Sequence, residues 1–259
     1  MKRIIILFLT IALTYTLSAQ NNQMDSRSYW IDLQIVQHIG LTPWSNTEYV
    51  SAGLPSTTIT EIRGAFNFSI FRNYIGGFAD VGLGIMPAPK MQSLNLEQTP
   101  LPYSGTQYYL REMLSQSGNS NTSVNIKMTF GLFAKISVNE NLNIMPYFGG
   151  GFLTMPQRKY EFILKEHGSN MQYQTTYCWN YDDREYGDFP LGYLTGRLNF
   201  NYRLSPKINL LLGLEYTWFL TTVDFYGSFT NTFNANVERD FIVKGNKTSM
   251  LGISAGISF

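Results

Sequence analysis

From Trp30 onward, apolar residues take every second position over runs of ten to fourteen residues, and the positions between them are small, polar or charged. A period of two belongs to the β-strand, whose successive side chains point to opposite faces. Eight runs carry it: Trp30–Ile39, Ile59–Phe71, Tyr74–Met86, Ser123–Ile136, Leu142–Thr154, Leu191–Tyr202, Ile208–Thr221 and Ser249–Phe259. In the fourth, Val124, Ile126, Met128, Phe130, Leu132, Ala134 and Ile136 form an unbroken apolar row. In the fifth, Pro146 breaks the row and marks an expected bulge, because proline donates no ladder hydrogen bond.

Charge sorts with the alternation. The eight apolar faces hold no charged residue. The opposite faces hold the acids Asp32, Glu61, Asp80 and Glu215 and the bases Arg63, Lys127, Lys135 and Arg197. A charge facing lipid costs roughly 2–4 kcal/mol at mid-depth, so the sorting has a physical cause if the uncharged face meets hydrocarbon. A soluble barrel with an apolar interior also alternates, but three features set it aside. The runs exceed the ~5–6 residues of an average soluble strand and meet the ~9–11 that a membrane-spanning strand needs. The polar face is rich in small residues, among them Gly76, Gly82, Gly84, Gly131, Gly149, Gly151, Gly213, Gly252 and Gly256, which suits a narrow interior. The connections also alternate in length. Those at 72–73, 137–141 and 203–207 are short, and those at 40–58, 87–122, 155–190 and 222–248 are long. Short periplasmic turns and long extracellular loops are the pattern of outer-membrane barrels.

The expected fold is therefore all-β: a closed, antiparallel, up-and-down transmembrane barrel of about eight strands. Such an interior is filled by side chains and leaves no wide pore. Composition agrees. Charged residues make up 14% of the chain, against about 25% in an average soluble domain, and no long apolar run follows residue 20. Removing Lys2 and Arg3 from the 19 basic residues leaves 17 against 18 acidic ones, so nucleic acid is not an expected partner. The single cysteine, Cys178, permits no internal disulfide and reads as a small buried or loop thiol.

The first twenty residues have the layout of a secretory signal peptide. Lys2 and Arg3 precede the apolar stretch Ile4–Leu17, and Ser18-Ala19-Gln20 offers a cut after Ala19. The expected organisation is a signal peptide at 1–19, a short periplasmic segment at 20–29 and the barrel at 30–259. The cell outer membrane is the expected location.

A signal peptide, eight alternating strands and a last strand ending on Phe259 resemble the small outer-membrane β-barrel superfamily, which includes the barrel of outer membrane protein A and the opacity-type adhesins. The Ser-Ala-Gln region is similar to precursors from the Bacteroidota. By the same resemblance, Leu251, Ile253, Ala255, Ile257 and Phe259 look like the C-terminal signal read by the barrel-insertion machinery. The resemblance implies fold and place, with outer-membrane lipid and that machinery as partners. It implies far less about activity.

Enclosed charges must be paired, because a lone buried charge is costly. Counting residues from the periplasmic strand ends sets Arg63 beside Asp80 and Arg197 beside Glu215, and gives Lys127 a choice of Glu61 or Asp80. Trp30, Tyr74, Tyr202 and Phe259 are expected to form a periplasmic aromatic girdle, and Phe152, Tyr216 and Trp218 an outer one. Among the loops, Gln107–Ser117 reads as a short helix. Lys159–Glu166 with Met171–Cys178 reads as a hairpin, and Phe225–Phe233 with Phe241–Lys244 as another. These hairpins offer strand edges to a protein partner. If the first of them crosses the membrane, the barrel has ten strands.

No cofactor, metal or catalytic site is expected. The chain has no phosphate-binding loop, no HExxH and no paired cysteines, and Gly149-Gly150-Gly151 reads as lumen packing. The alternatives are a rim enzyme using His38, as in lipid A-modifying barrels, or His167 with Asp182 and Asp183, and a narrow channel. The leading expectation is a non-enzymatic envelope scaffold or surface-loop binding or secretion-associated component.

Overall fold

The computed structural model describes residues 29–41, 58–71, 74–87, 102, 105–116, 122–155, 159–179, 189–222, 224–243 and 247–259. The expected signal peptide, residues 20–28, Asp182 and Asp183 lie outside this set. The described elements are all strands. Nine form one sheet: β1 (Tyr29–Gly40), β2 (Thr58–Phe71), β3 (Ile75–Pro87), β5 (Thr122–Ala134), β6 (Ile136–Ser137), β7 (Leu142–Met155), β10 (Phe189–Arg203), β11 (Asn209–Phe219) and β14 (Ser249–Ser258). Five form a second sheet: β4 (Tyr108–Gln116), β8 (Lys159–Glu166), β9 (Gln172–Trp179), β12 (Phe225–Asn231) and β13 (Val237–Val243).

The first sheet runs β10-β11-β14-β1-β2-β3-β5-β7, and β7 pairs with β10 to close it. β6 continues β5 after a break at Lys135, since Ile136 meets Ile144 in the register that carries Phe133 opposite Tyr147. The barrel thus has eight strands, every neighbour antiparallel. The first and last strands form the seam, where Ile31 and Phe259 exchange both backbone hydrogen bonds at 3.0 Å.

Register fixes the barrel's shape. A line of outward-facing partners runs Tyr29, Phe68, Gly77, Leu132, Phe148, Gly196, Tyr216, Leu251 and returns to β1 at Ile39. It comes back ten residues further along the strand (29 to 39), which is the barrel's stagger. With ~3.3 Å per residue and ~4.8 Å between strands, that stagger tilts the strands by about 40° and sets a backbone radius of about 8 Å.

The second sheet stands on the long-loop side as a crown, in the order β13-β12-β9-β8-β4. Each crown strand is the chain neighbour of a barrel strand, and the crown repeats the barrel order β14-β11-β10-β7-β5. Its core is Tyr108, Phe162, Leu164, Tyr173 and Phe229.

Several expectations need correction. Residues Gln107–Ser117 supply a strand, β4, not a helix: its edge pairs with β8 through two register shifts, and pairing with a ready-made sheet overrides weak helical preference. The 159–178 hairpin belongs to the crown, so the barrel has eight strands and not ten. Pro146 makes no bulge against β10, where the register runs unshifted. Its effect is on the other side, where pairing stops at Tyr147 and resumes at Ile144. Trp30 does not join the girdle. It shares the inward parity of Asp32 and packs edge-on against Phe133, ring centroids 5.1 Å apart.

Candidate functional site

The inward row of each barrel strand meets the others in a lumen about 8 Å in backbone radius, so opposite walls touch. Three tiers result. At the short-turn end, Phe78, Phe133, Met145 and Tyr147 cluster, with Trp30 against them. At the loop end, Ile59, Met86, Leu153, Leu191, Phe219 and Met250 are buried. Between these apolar tiers lie six charges, none more than 4% exposed: Glu61 and Arg63 on β2, Asp80 on β3, Lys127 on β5, Arg197 on β10 and Glu215 on β11.

Glu215 is the hub. Its Oε2 accepts from Arg63 Nη1 at 2.6 Å and from Arg197 Nε at 3.2 Å. Its Oε1 accepts from Lys127 Nζ and, at 3.1 Å, from Thr217 Oγ1. Arg63 also grips Glu61, Nε to Oε1 at 2.7 Å and Nη2 to Oε2 at 3.3 Å. Arg197 Nη2 donates to Asp80 Oδ2 at 2.6 Å. Lys127 Nζ lies 3.9 Å from Glu61 Oε2. Three cations therefore face three anions, and the group is neutral with His38 uncharged. His38 Nε2 hydrogen-bonds Glu61 Oε2 at 2.7 Å. The tiers above and below help hold the cations. The Arg197 guanidinium carbon lies 5.5 Å from the Phe78 ring centre and 5.4 Å from that of Tyr147, and Lys127 Nζ lies 5.1 Å from that of Tyr193. Such contacts are worth about 2 kcal/mol when desolvated.

The glycines of the polar faces make room for these long side chains. A Cβ on Gly82 would stand 2.1 Å from Glu61 Oε1, and one on Gly252 would stand 2.9 Å from His38 Nδ1.

The pairing differs in part from the count of residues along each strand. Arg197 does meet Glu215, and Lys127 approaches Glu61. Arg63 meets Glu61 and Glu215 rather than Asp80, and Asp80 is taken by Arg197. The ten-residue stagger is the reason: equal counts from the strand ends are not equal heights. Asp32 sits lower, accepting from Asn67 Nδ2 at 2.9 Å. Lys135 falls in the break between β5 and β6, half-buried at the turn end, roughly 26 Å along the strand from Lys127. Leu251, Ile253, Ala255, Ile257 and Phe259 all face outward. Sequence reasoning finds neither the Asn67 partner nor the aromatic floor under Arg197, because an inward position read as polar does not say what it touches.

Each of the six charges in the cluster has at least one partner of opposite sign. His38 is 2% exposed beneath the apolar tier, away from the rim where a substrate would arrive. The space beside it, lined by His38, Glu61, Lys127, Thr217 and the apolar residues above, has room for about a single water molecule. His167 starts the turn of the β8–β9 hairpin, its ring 5.2 Å from that of Tyr109. No group of three or more metal-ligating side chains occurs among the described residues. Several buried polar atoms, one of them in the cluster, are less well served. Gln34, Asn67, Asn201 and Asp80 each hold at least one side-chain atom without a protein partner, and each unmade bond costs roughly 1–3 kcal/mol.

No protein-family model matches the sequence, and no curated protein matches it. Solved structures do resemble the fold. Neisserial surface protein A is 10% identical, with a TM-score of 0.41 over 90% of this chain and 96% of that one. A major outer membrane protein from Thermus thermophilus is 10% identical, with a TM-score of 0.40 over 90% and 99%. The attachment invasion locus protein of Yersinia pestis is 9% identical, with a TM-score of 0.38 over 89% and 97%. At these values the likeness is one of strands wound into a barrel and no more.

Proposed function

We propose that this protein is an integral outer-membrane β-barrel without catalytic activity, acting as an envelope scaffold or as a binding or secretion-associated component through its extracellular crown. The observation that carries the reading is the outer surface. No Asp, Glu, Lys or Arg occupies an outward position on the barrel strands, and large apolar side chains there stand open, among them Ile35 at 62%, Ile62 at 66% and Phe148 at 67%. Soluble monomers rarely expose apolar patches beyond a few hundred Å². On β3 the row from Ile75 to Ile85 climbs about 25 Å at a 40° tilt, the height of an outer-membrane apolar band. Tyr202 and Phe259 face outward at its lower edge and Phe152, Tyr216 and Trp218 near its upper edge, where aromatic rings favour the lipid–water boundary. The charge-paired cluster and buried His38 speak for scaffolding over rim catalysis, and the two apolar tiers speak against a wide channel.

Cell fractionation with gel migration before and after boiling tests this. The protein is expected in the outer-membrane fraction, migrating as a compact form that shifts on heating. Recovery in the soluble periplasmic wash without a shift would overturn the proposal.

A further inference from the structure

The barrel's unpartnered buried polar atoms include a set gathered on the turn side of the ion cluster and level with it. Both amide atoms of Gln34, Oδ1 of Asn67, Oδ1 of Asn201 and Oδ1 of Asp80 lack a protein partner, and Trp30 Nε1 adds one more nearer the mouth. The four polar side chains are no more than 6% exposed. Gln34 lies opposite Arg63 in the β1–β2 ladder and Asn67 lies opposite Trp30, so the set climbs from the mouth to the cluster. On the turn side the buried apolar residues Phe78, Phe133, Met145 and Tyr147 come from β3, β5 and β7, so the wall of β1, β2 and β10 that carries Gln34, Asn67 and Asn201 stays polar. The loop side is closed by Ile59, Met86, Leu153, Leu191, Phe219 and Met250, none above 3% exposed.

The chemistry of the set selects its ligand. Trp30 and the Gln34 amide offer donors, while Asn67, Asn201 and Asp80 offer acceptors. With Gln34 Oε1 the acceptors number four and the donors two, so a cation would leave the two donors unserved, an anion the four acceptors, and an apolar ligand all six. A small molecule that donates and accepts, repeated along the wall, serves them all, and water does this in buried polar sites. We propose that this wall carries a file of water entering at the short-turn end, reaching Asp80 and Arg197, and stopping under the apolar tier. The barrel is then a half-channel: the ion cluster exchanges with the periplasmic side and is sealed from the outside. The sidedness rests on the barrel reading above.

Silver ion is close to water in size and specific for thiols, so it reads such a path. In a Cys178→Ser background, Gln34→Cys, Asn67→Cys and Leu191→Cys are reconstituted in liposomes. Orientation is scored by protease cleavage of the crown, and folding by the heat-dependent gel shift. Silver added at the turn side is expected to block later maleimide labelling at positions 34 and 67 at least tenfold more than at 191, and silver at the crown side to block none. An unmodified Gln34→Cys in folded protein overturns the file, and a Leu191→Cys modified as fast as Gln34→Cys overturns the seal. The unsubstituted protein gives a second reading. NMR magnetisation transfer from water is expected at the Gln34 and Asn67 side-chain amides, and its absence there also overturns the file. Loss of the heat shift in unsubstituted protein would instead count against the barrel reading, which keeps the two failures apart.

Discussion

Single residues in this lumen matter through what they leave behind. Glu215 holds Arg63 and Lys127 across the lumen, Arg197 on the adjacent strand and Thr217 on its own strand. Replacing it with Ala leaves three cations facing Glu61 and Asp80 alone, all buried. Breaking a buried pair from one side costs about 3–5 kcal/mol. Glu215→Ala is expected to lose that much, read from urea unfolding in lipid vesicles by tryptophan fluorescence. A loss below about 1 kcal/mol would mean the cluster is solvated, since exposed pairs contribute no more than that. That Glu215 faces inward was legible in the sequence, because it sits opposite the unbroken apolar row from Ile208 to Leu220. That it serves as the hub was not, because its partners are 18, 88 and 152 residues away.

The strands show where local pattern suffices and where neighbours intervene. All eight barrel runs were readable from alternation because each buries one face and leaves the other open, so a one-residue slip would expose charge. Two features depended on neighbours. β4 carries no clean alternation and becomes a strand because β8 offers an edge to pair with. Gly151 shares its strand with Gly149 and Gly150, yet its role depends on β5: a Cβ there would stand 1.8 Å from Met128 O. Nothing lies within 4 Å of a Cβ on Gly192, which faces outward. Gly151→Ala is therefore expected to reduce the folded fraction on unboiled gels, by pushing β5 from β7. Gly192→Ala should stay within about 0.5 kcal/mol of the parent. Equal behaviour of the two variants would contradict the close approach.

At the scale of the whole molecule, the barrel closes through its own ladders and its own lumen, and the crown has a separate apolar core. Deleting residues 159–179 with a short linker removes β8 and β9 from the crown and no barrel strand. The deleted protein is expected to keep its heat-dependent gel shift and to lose any surface binding. Loss of the shift would mean that the barrel needs its crown to fold. By itself the sequence determined the class of fold, the eight alternating runs and the inward parity of their charged residues, because these follow from a period of two that is local to each strand. Eight rather than ten barrel strands was decided by the crown, which takes the 159–178 hairpin. Only the tertiary structure decided which charges meet, that Trp30 fills the lumen instead of ringing it, and that the loop strands join in one crown. Those outcomes depend on a ten-residue stagger that emerges only when β14 closes on β1, and no single strand contains it.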